Sequence, residues 1–151
     1  MSTSCPINHT VVDSNAVRIV ALFVVGIVAV FLLTGSPLVV LALTPDFLIR
    51  AAGRPRWSPL ARVAMSIVRL LELAPRPIDS APKRFAAGIG VAFTAAAGLL
   101  TLAGLGPAAA AVAAILLVCA ALESLLGFCV GCRVHAFLPR SLVRAEAARQ
   151  R

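Results

Sequence analysis

Four long apolar runs, separated by tight turns or polar segments, dominate the pattern of hydrophobic and polar positions along the chain. Each run is close to the roughly 20 residues that a helix needs to cross a bilayer. The pattern therefore predicts an all-α, polytopic membrane protein whose four transmembrane helices form two helical hairpins. The predicted transmembrane helices are residues 16–34, 36–52, 82–105 and 107–128.

The second of these runs is the shortest and carries an acid and a base. Pro45 lacks a backbone N–H donor and is expected to kink the helix. Asp46 and Arg50 lie one turn apart with the acid first, which is the favourable order for an intrahelical ion pair. An acid at membrane depth usually faces the interior of a helix bundle or a charged partner. We expect Asp46 to do the same.

The segment between the two predicted hairpins is basic and amphipathic. Residues 57–73 place aliphatic side chains on one helical face and arginines on the other, with Trp57 at the start. An amphipathic helix with Trp and Arg suits the membrane interface. The same pattern fits a helix that packs on the cytoplasmic end of the bundle, and the sequence does not choose between the two.

A stripe of small residues runs along the third predicted transmembrane helix. Ala86, Gly90, Thr94 and Gly98 recur every four residues. Small side chains allow helices to approach closely in lipid. The stripe therefore predicts a face on which this helix packs against its neighbours.

Composition agrees with a membrane protein. Hydrophobic residues make up 60% of the 151-residue chain, whereas soluble domains average about 45–50%. The formal net charge is +8, but no nucleic-acid recognition motif accompanies the basic residues. We therefore expect the lipid bilayer, and not nucleic acid, as a partner. The first apolar run is expected to stay as a transmembrane helix rather than to be cleaved as a signal peptide.

The distribution of charge predicts the orientation. All fourteen Lys and Arg residues lie at the start of the first helix, around the central segment or toward the C-terminus, and neither hairpin turn contains one. Cytoplasmic segments of membrane proteins are enriched in Lys and Arg. The prediction is a multi-pass protein of the cell membrane with residues 1–15 and 133–151 as cytoplasmic tails.

The C-x-x-C formed by Cys129 and Cys132 is the main candidate for chemistry. The predicted orientation places both thiols, together with Cys5, at the cytoplasmic face, where thiols are kept reduced. A reduced C-x-x-C favours a catalytic, sulfur-relaying or metal-binding role over a structural disulfide. We expect the motif at the C-terminal end of the fourth helix, where the negative end of the helix dipole raises the pKa of a thiol.

Glu123 precedes the C-x-x-C by one to two helical turns. It is a candidate for moving protons to a thiol, since acids at membrane depth often have functional roles. It is also a candidate for an ion pair with Lys83 or Arg84, which begin the third helix on the same side. The two roles are compatible.

Zinc is the alternative to thiol chemistry. Cys5, His9, Cys129 and Cys132 together supply three sulfurs and one nitrogen, which is an acceptable ligand set for zinc. Only one of the two ligand pairs has tight spacing, which makes the pattern weaker than that of a zinc finger. No other cofactor is expected.

Four stretches, taken together, resemble a known family. They are CPIN near the start, DFLIR in the second helix, APKRFA at the third and ESLLGFCVGC at the end of the fourth. Their order and spacing resemble the bacterial integral-membrane family catalogued as domain of unknown function 4395. The residues that match its pattern are Cys5, Pro6, Asn8, Asp46, Arg50, Pro82, Lys83, Arg84, Phe85, Glu123, Gly127, Phe128, Cys129, Gly131 and Cys132. His9 is not part of that pattern, and the resemblance implies sulfur or thiol metabolism at the membrane.

Three functions are consistent with these observations. The leading hypothesis is a membrane thiol protein in which Cys129 and Cys132, with Cys5 and Glu123, exchange a disulfide or carry a persulfide. A cytoplasmic thioredoxin-like or sulfurtransferase partner would dock on its basic face. The second hypothesis is a homo-oligomeric transporter of a small sulfur species, with Asp46 and Arg50 lining the path. The third is a non-catalytic membrane subunit whose cysteines bind zinc or only pack.

Overall fold

Helices account for most of the structure. The computed structural model describes residues 11–137, and the side chains of residues 11, 79, 81 and 135–137 are outside the description. In chain order the elements are β1 (Val11–Asp13), α1 (Ser14–Thr34), α2 (Pro37–Leu41), α3 (Leu43–Ala51), a 3-10 turn (Pro55–Trp57), α4 (Pro59–Leu70), β2 (Pro77–Asp79), α5 (Ala81–Leu102), α6 (Gly106–Leu126) and α7 (Val130–Phe137).

Three helices are long and apolar enough to cross a membrane. They are α1, α6 and the Pro82–Leu102 part of α5. Large apolar side chains such as Leu33, Leu99 and Leu125 stay exposed on them, which suits contact with lipid rather than water. The sequence prediction of a membrane protein built from helices is confirmed, and its first, third and fourth spans correspond to these helices.

The second predicted helix is interrupted. Residues 36–52 form α2 and α3, with a turn at Ala42 between them. Pro45 has no N–H to give to the carbonyl of Leu41, four residues earlier, and its ring crowds that carbonyl. The chain therefore breaks within one turn before Pro45, which agrees with the predicted kink. The two parts have 5 and 9 residues.

The stripe of small residues on α5 is the packing face that the sequence predicted. A Cβ on Gly98 would overlap the side chain of Leu41 on α2, and one on Gly90 would lie 2.6 Å from Phe47 of α3. Between them Thr94 is fully buried and its Oγ1 accepts a hydrogen bond of 3.1 Å from Thr44. The stripe lets α2 and α3 lie directly on α5.

The amphipathic segment docks on the bundle. Ala64 and Val68 of α4 are buried against Ala16 and Val20 of α1. The helix covers a shorter range than predicted because Ser58 caps it and Leu71 ends it. Docking of α4 on α1 agrees with the second of the two interpretations of this segment. It leaves Trp57 and several arginines exposed.

A buried carboxylate fixes α4 to α3. Asp46 is 2% exposed, and its Oδ1 accepts hydrogen bonds from Ser58 Oγ at 2.5 Å and from the N–H of Leu60 at 3.3 Å. Ser58 Oγ in turn accepts from the N–H of Ala61 at 3.1 Å, which is an N-cap. The positive end of the α4 dipole adds to the stabilisation of the carboxylate. Asp46 thus faces the interior, as expected, and its partners are the start of α4 and Arg50.

Replacing Ser58 with alanine should destabilise the fold. The change removes an N-cap, worth about 1 kcal/mol, and a hydrogen bond to a charged group, worth about 1.5–3 kcal/mol. We expect the midpoint of thermal unfolding in detergent micelles to fall clearly. Ser66→Ala is the matched control, because Ser66 is exposed and bonds only to the carbonyl of Arg62 within α4. Equal unfolding midpoints for the two variants would contradict this role of Ser58.

A two-stranded sheet was not predicted. β1 pairs antiparallel with β2, with Val12 opposite Ile78. Asn15 Nδ2 also donates to the carbonyl of Ala74 at 2.9 Å. The N–H of Ser14 donates to the carbonyl of Arg76 at 2.9 Å. The strands have three residues each, which is too short for an alternating pattern to stand out. The sheet holds the start of the described chain beside the start of α5.

A candidate thiol site where α6 meets α7

The C-x-x-C lies at a sharp break between two helices. α6 ends at Leu126, and Gly127 follows in the left-handed region with φ of 67°. Its N–H donates to the carbonyl of Glu123 at 3.0 Å, and the next N–H, of Phe128, donates to Leu122 at 3.2 Å. Glycine takes this conformation without steric cost, which makes it the usual residue just past a helix end. A new helix, α7, begins three residues later.

Cys129 occupies the N-cap position of α7. Its carbonyl accepts from the N–H of Arg133 at 3.2 Å, which is the first bond of the helix. Its Sγ accepts from the N–H of Cys132 at 3.3 Å, as a capping side chain does from the third helical residue. The C-x-x-C therefore begins a helix.

This placement corrects the prediction from sequence. The motif was expected at the C-terminal end of the fourth helix, where the dipole disfavours a thiolate. That helix stops before the motif, and Cys129 lies at the positive end of the next one, which favours a thiolate. The error arose because Cys is not among the usual N-cap residues, so the start of α7 carried no recognised signal.

The two thiols have opposite tendencies to ionise. A hydrogen bond from the Cys132 thiol to the Cys129 sulfur lowers the pKa of Cys129 to about 7, against the opposing effect of its burial. The same hydrogen bond raises the pKa of Cys132 well above its ordinary value, and burial adds to that rise. As the pH rises through about 7, Cys129 therefore ionises first, and Cys132 stays a thiol that donates to it.

The alkylation rate of Cys129 should follow this pKa. Because only the thiolate reacts, the rate with iodoacetamide is expected to rise with pH through a midpoint near 7 and then level off. In Cys132→Ala the thiol donor is lost, and the midpoint should move up toward the ordinary value of about 8.5. Peptide mass spectrometry after timed labelling measures both profiles. A wild-type midpoint that does not move in the variant would contradict the assigned hydrogen bond.

An ion pair stands beside the thiols. Lys83 Nζ, in the first turn of α5, bonds to Glu123 Oε1, in the last turn of α6. This is one of the two pairings that the sequence predicted for Glu123. Beyond the stronger effects of hydrogen bonding and burial, the carboxylate of Glu123 raises the pKa of Cys129 and the ammonium of Lys83 lowers it. The two members of the ion pair therefore have opposing effects on the ionisation of Cys129.

Arg84, the other cation predicted for Glu123, and Arg133, which follows the motif, have different contacts. Arg84 Nε donates to the carbonyl of Ala51 at 3.3 Å, and its guanidinium packs on Gly53 rather than on the thiols. Arg133 lies over the ring of Phe128, with 5.1 Å from Cζ to the ring centroid. Of the cations considered for the site, Lys83 is thus the one that pairs with Glu123.

A cavity of about 310 Å³ adjoins Cys129. Its walls come from α1, α3, α5, α6 and α7, and they are mostly apolar. Arg50 and Glu123 are its charged lining residues, whereas Cys132 and Asp46 are not among the residues that line it. Cys129 is thus the cysteine of the motif that faces the cavity. Of the two residues predicted to line a transport path, Arg50 lines this cavity, and Asp46 bonds to the start of α4.

Comparison with known proteins identifies the family. The family model described as domain of unknown function (DUF4395) matches residues 12–140. This chain belongs to the DUF4395 family. No curated protein and no solved structure matches the chain. The resemblance inferred from the four sequence stretches is therefore confirmed, and the match includes the C-x-x-C, Lys83 and Glu123.

The zinc hypothesis for this DUF4395 protein rests on residues outside the description. Cys5 and His9 precede residue 11, and their positions are not described. Among the side chains that the structure describes, which do not include His135, no three of His, Cys, Asp or Glu are grouped so that they could hold a metal ion. The four-ligand set therefore stays a prediction.

Two contacts that shape the DUF4395 thiol site were not predicted from the sequence. A Cβ on Gly131 would lie 2.7 Å from Ala86 Cβ and 2.9 Å from Ala86 Cα, so α7 lies directly on the first residue of the small stripe. Arg18 Nη2 donates to the carbonyl of Leu125 at 3.4 Å, beside Gly127. A cation there complements the negative end of α6. In the sequence, the glycine at position 131 inside the C-x-x-C was the one signal that α7 packs closely on Ala86.

Proposed function

We propose that this DUF4395 protein is a membrane protein that exchanges disulfides through Cys129 and Cys132. The observation that carries the proposal is the N-cap position of Cys129, whose sulfur accepts both the N–H and the thiol hydrogen of Cys132. Such an arrangement stabilises a thiolate, as the reduced form of a dithiol site requires. A stabilised reduced form makes the corresponding disulfide a ready oxidant of other thiols.

The two cysteines have different parts in the exchange. In the oxidised site, a thiolate of the partner attacks the Cys132 sulfur, because Cys132 is more exposed than Cys129, which is 8% exposed. The Cys129 thiolate leaves, and a thiol of lower pKa leaves faster. The second thiol of the partner then attacks the mixed disulfide and releases Cys132. The partner gains a disulfide, and two electrons reach the Cys129–Cys132 pair.

We propose a four-span topology with both termini in the cytoplasm. The α2–α3 pair would be the fourth membrane-embedded element, together with the three long helices, and each turn between paired helices would face outside. Residues 35–36 and 103–105, which join those helices, contain no Lys or Arg. Basic residues concentrate at the opposite ends, and such segments stay in the cytoplasm. This topology puts the thiol site at the cytoplasmic face.

The partner would be a cytoplasmic thioredoxin-like or sulfurtransferase protein. The central segment offers it an exposed set of cations, whose field would steer an acidic surface toward the thiols. The exposed arginines of that segment are Arg54, Arg56, Arg62, Arg69 and Arg76. A sulfurtransferase would pass a sulfane sulfur rather than a disulfide to the same pair.

Differential alkylation of reduced membranes tests the proposal. The membranes are treated with glutathione disulfide or with a polysulfide, free thiols are blocked, and the peptides are analysed by mass spectrometry. We expect a Cys129–Cys132 disulfide with the first reagent and a persulfide in the motif with the second. Cys119, inside α6, serves as the internal reference thiol. If both motif thiols stay free with both reagents, the proposal is wrong.

A further inference from the structure

The cavity beside Cys129 is the feature that disulfide exchange with a soluble partner leaves unexplained. A dithiol that has been reduced must pass its two electrons on before it can act again. Cys129, which ionises more easily, faces the cavity and not the open surface. We infer that the cavity binds the head group of a lipid quinone, which oxidises Cys129 and Cys132 to a disulfide. The inference rests on the proposed disulfide exchange.

The position of the cavity suits a ligand that arrives through the membrane. Its lining residues come from three helices long enough to span a bilayer, as well as from α3 and α7. Ile115 of α6 and Val134 of α7 line the cavity and are 53% and 44% exposed. Of the two, Ile115 belongs to a helix long enough to span a bilayer, so it marks the edge at which a ligand would enter from lipid. A volume of about 310 Å³ is small for a ligand pocket, so a flat ring fits inside while a long tail stays in lipid.

The charges around the cavity favour a neutral ligand. Arg50 lies 3.1 Å from Asp46, and Lys83 bonds to Glu123, so the two cations are matched by two anions. The Cys129 thiolate adds a further negative charge. A small sulfur anion would lose its hydration here without a surplus cation to replace it, which is costly. A quinone carries no charge and avoids that cost.

Arg50 offers the polar contact that a quinone needs. Its Nη2 is buried and has no hydrogen-bond partner among the described residues. Its Nε, although near Asp46 Oδ2, is not aligned for a hydrogen bond with it. A buried donor without a partner is costly, and a quinone carbonyl would satisfy it. Phe93 lines the same cavity, and its aromatic ring can pack against the flat quinone ring. The ring of Phe47 holds the Arg50 guanidinium in place, with 4.5 Å from Cζ to the ring centroid.

The redox step balances within the named groups. The Cys129 thiolate and the Cys132 thiol each give one electron, the sulfur–sulfur bond forms, and the quinone takes both electrons. One of the two quinol protons comes from the Cys132 thiol. The quinol takes its other proton from water. That proton balances the one that Cys129 released when it ionised. The net change is two thiols and one quinone giving one disulfide and one quinol.

The test uses reduced protein in quinone-free lipid nanodiscs and a short-chain ubiquinone analogue. The ring of this analogue is fully substituted, which prevents a cysteine thiol from adding to it instead of being oxidised by it. We expect one quinol for each Cys129–Cys132 disulfide, and an initial rate about tenfold lower in Ile115→Trp, whose large side chain closes the exposed edge of the cavity. Val118→Trp is the control, because Val118 is similarly exposed on α6 but does not line this cavity. A photoreactive azido-quinone measures binding directly in Cys129→Ser. It should label the residues that line the cavity, and unlabelled quinone should reduce that labelling.

The outcomes separate this inference from the proposed function. Quinol formation that is about tenfold slower in Ile115→Trp and unchanged in Val118→Trp supports the quinone site. If glutathione disulfide forms the Cys129–Cys132 disulfide but quinone does not, or if both tryptophan variants react like the wild type, the quinone site is wrong and the disulfide exchange stands. If neither oxidant forms the disulfide, the proposed exchange itself is wrong and the quinone reaction falls with it.

Discussion

The two single-cysteine variants of the motif should react with glutathione disulfide in opposite ways. Cys129→Ser is expected to accumulate a stable glutathione adduct on Cys132, because no neighbouring thiolate remains to release it. Wild-type protein should show no lasting adduct, since the Cys129 thiolate attacks the adduct and forms the internal disulfide. In Cys129→Ser the thiolate partner that raises the pKa of Cys132 is gone, so Cys132 ionises more easily and access decides the rates. Cys132→Ser should form its adduct about tenfold more slowly than Cys129→Ser, because Cys129 is only 8% exposed.

Intact mass and peptide mapping at successive times measure these adducts. The control reagent is iodoacetamide, which is small and should still modify Cys129 in Cys132→Ser. That control distinguishes a thiol that a bulky disulfide cannot reach from one that does not react at all. Adducts that form equally fast on both variants would contradict the different parts assigned to the two cysteines.

Adding one methyl group at Gly131 should have the second large effect. In Gly131→Ala the new Cβ would meet Ala86 Cβ at 2.7 Å and the Ala86 backbone at 2.9 Å. Both atoms belong to Ala86 of α5 and cannot rotate away, so α7 must move away from α5. The move should reduce the free energy of unfolding by about 1–3 kcal/mol. The move shifts Cys129 relative to the Lys83–Glu123 ion pair and to the walls of the cavity that it lines. We expect disulfide formation to slow by about tenfold.

A second substitution tests whether the contact itself is responsible. Ala86→Gly removes the methyl group that a Cβ at position 131 would meet, so the double variant should recover part of the lost rate. Recovery stays partial because the Ala86 Cα, 2.9 Å away, remains. Gly88→Ala is the control, since a Cβ at Gly88 would meet no other side chain or neighbouring helix within 4 Å. If Ala86→Gly restores nothing, close packing of α7 on α5 does not govern the site.

The sequence was sufficient for features whose signal is long or periodic. Three membrane-length helices followed from uninterrupted apolar runs, and the face of α5 followed from small residues every four positions. The pairing of Glu123 with Lys83 could be predicted because both lie at ends of long helices on the same side. Register errors of one or two residues at helix ends do not alter such arguments.

The rest depends on short-range chemistry that leaves little trace in a sequence. The end of the fourth helix was predicted at residue 128, two residues late, and the further helix that begins after Gly127 was not predicted. The N-cap by Cys129 uses a residue type that rarely caps. The bond from Asp46 to Ser58 crosses from one helix to the start of another, so no spacing rule anticipates it. The first two of these features determine where the thiols lie and which one ionises.

A glutathione redox titration is the most direct test of the central claim that Cys129 and Cys132 form a reversible dithiol–disulfide pair. It uses a Cys5→Ala, Cys119→Ala variant, in which they are the remaining cysteines. The protein, in lipid nanodiscs, is equilibrated over a range of glutathione ratios, and free thiols are then blocked and counted by intact mass. We predict a single two-electron transition from two blocked thiols to none, fully reversed by dithiothreitol. Two blocked thiols at every ratio would contradict the account.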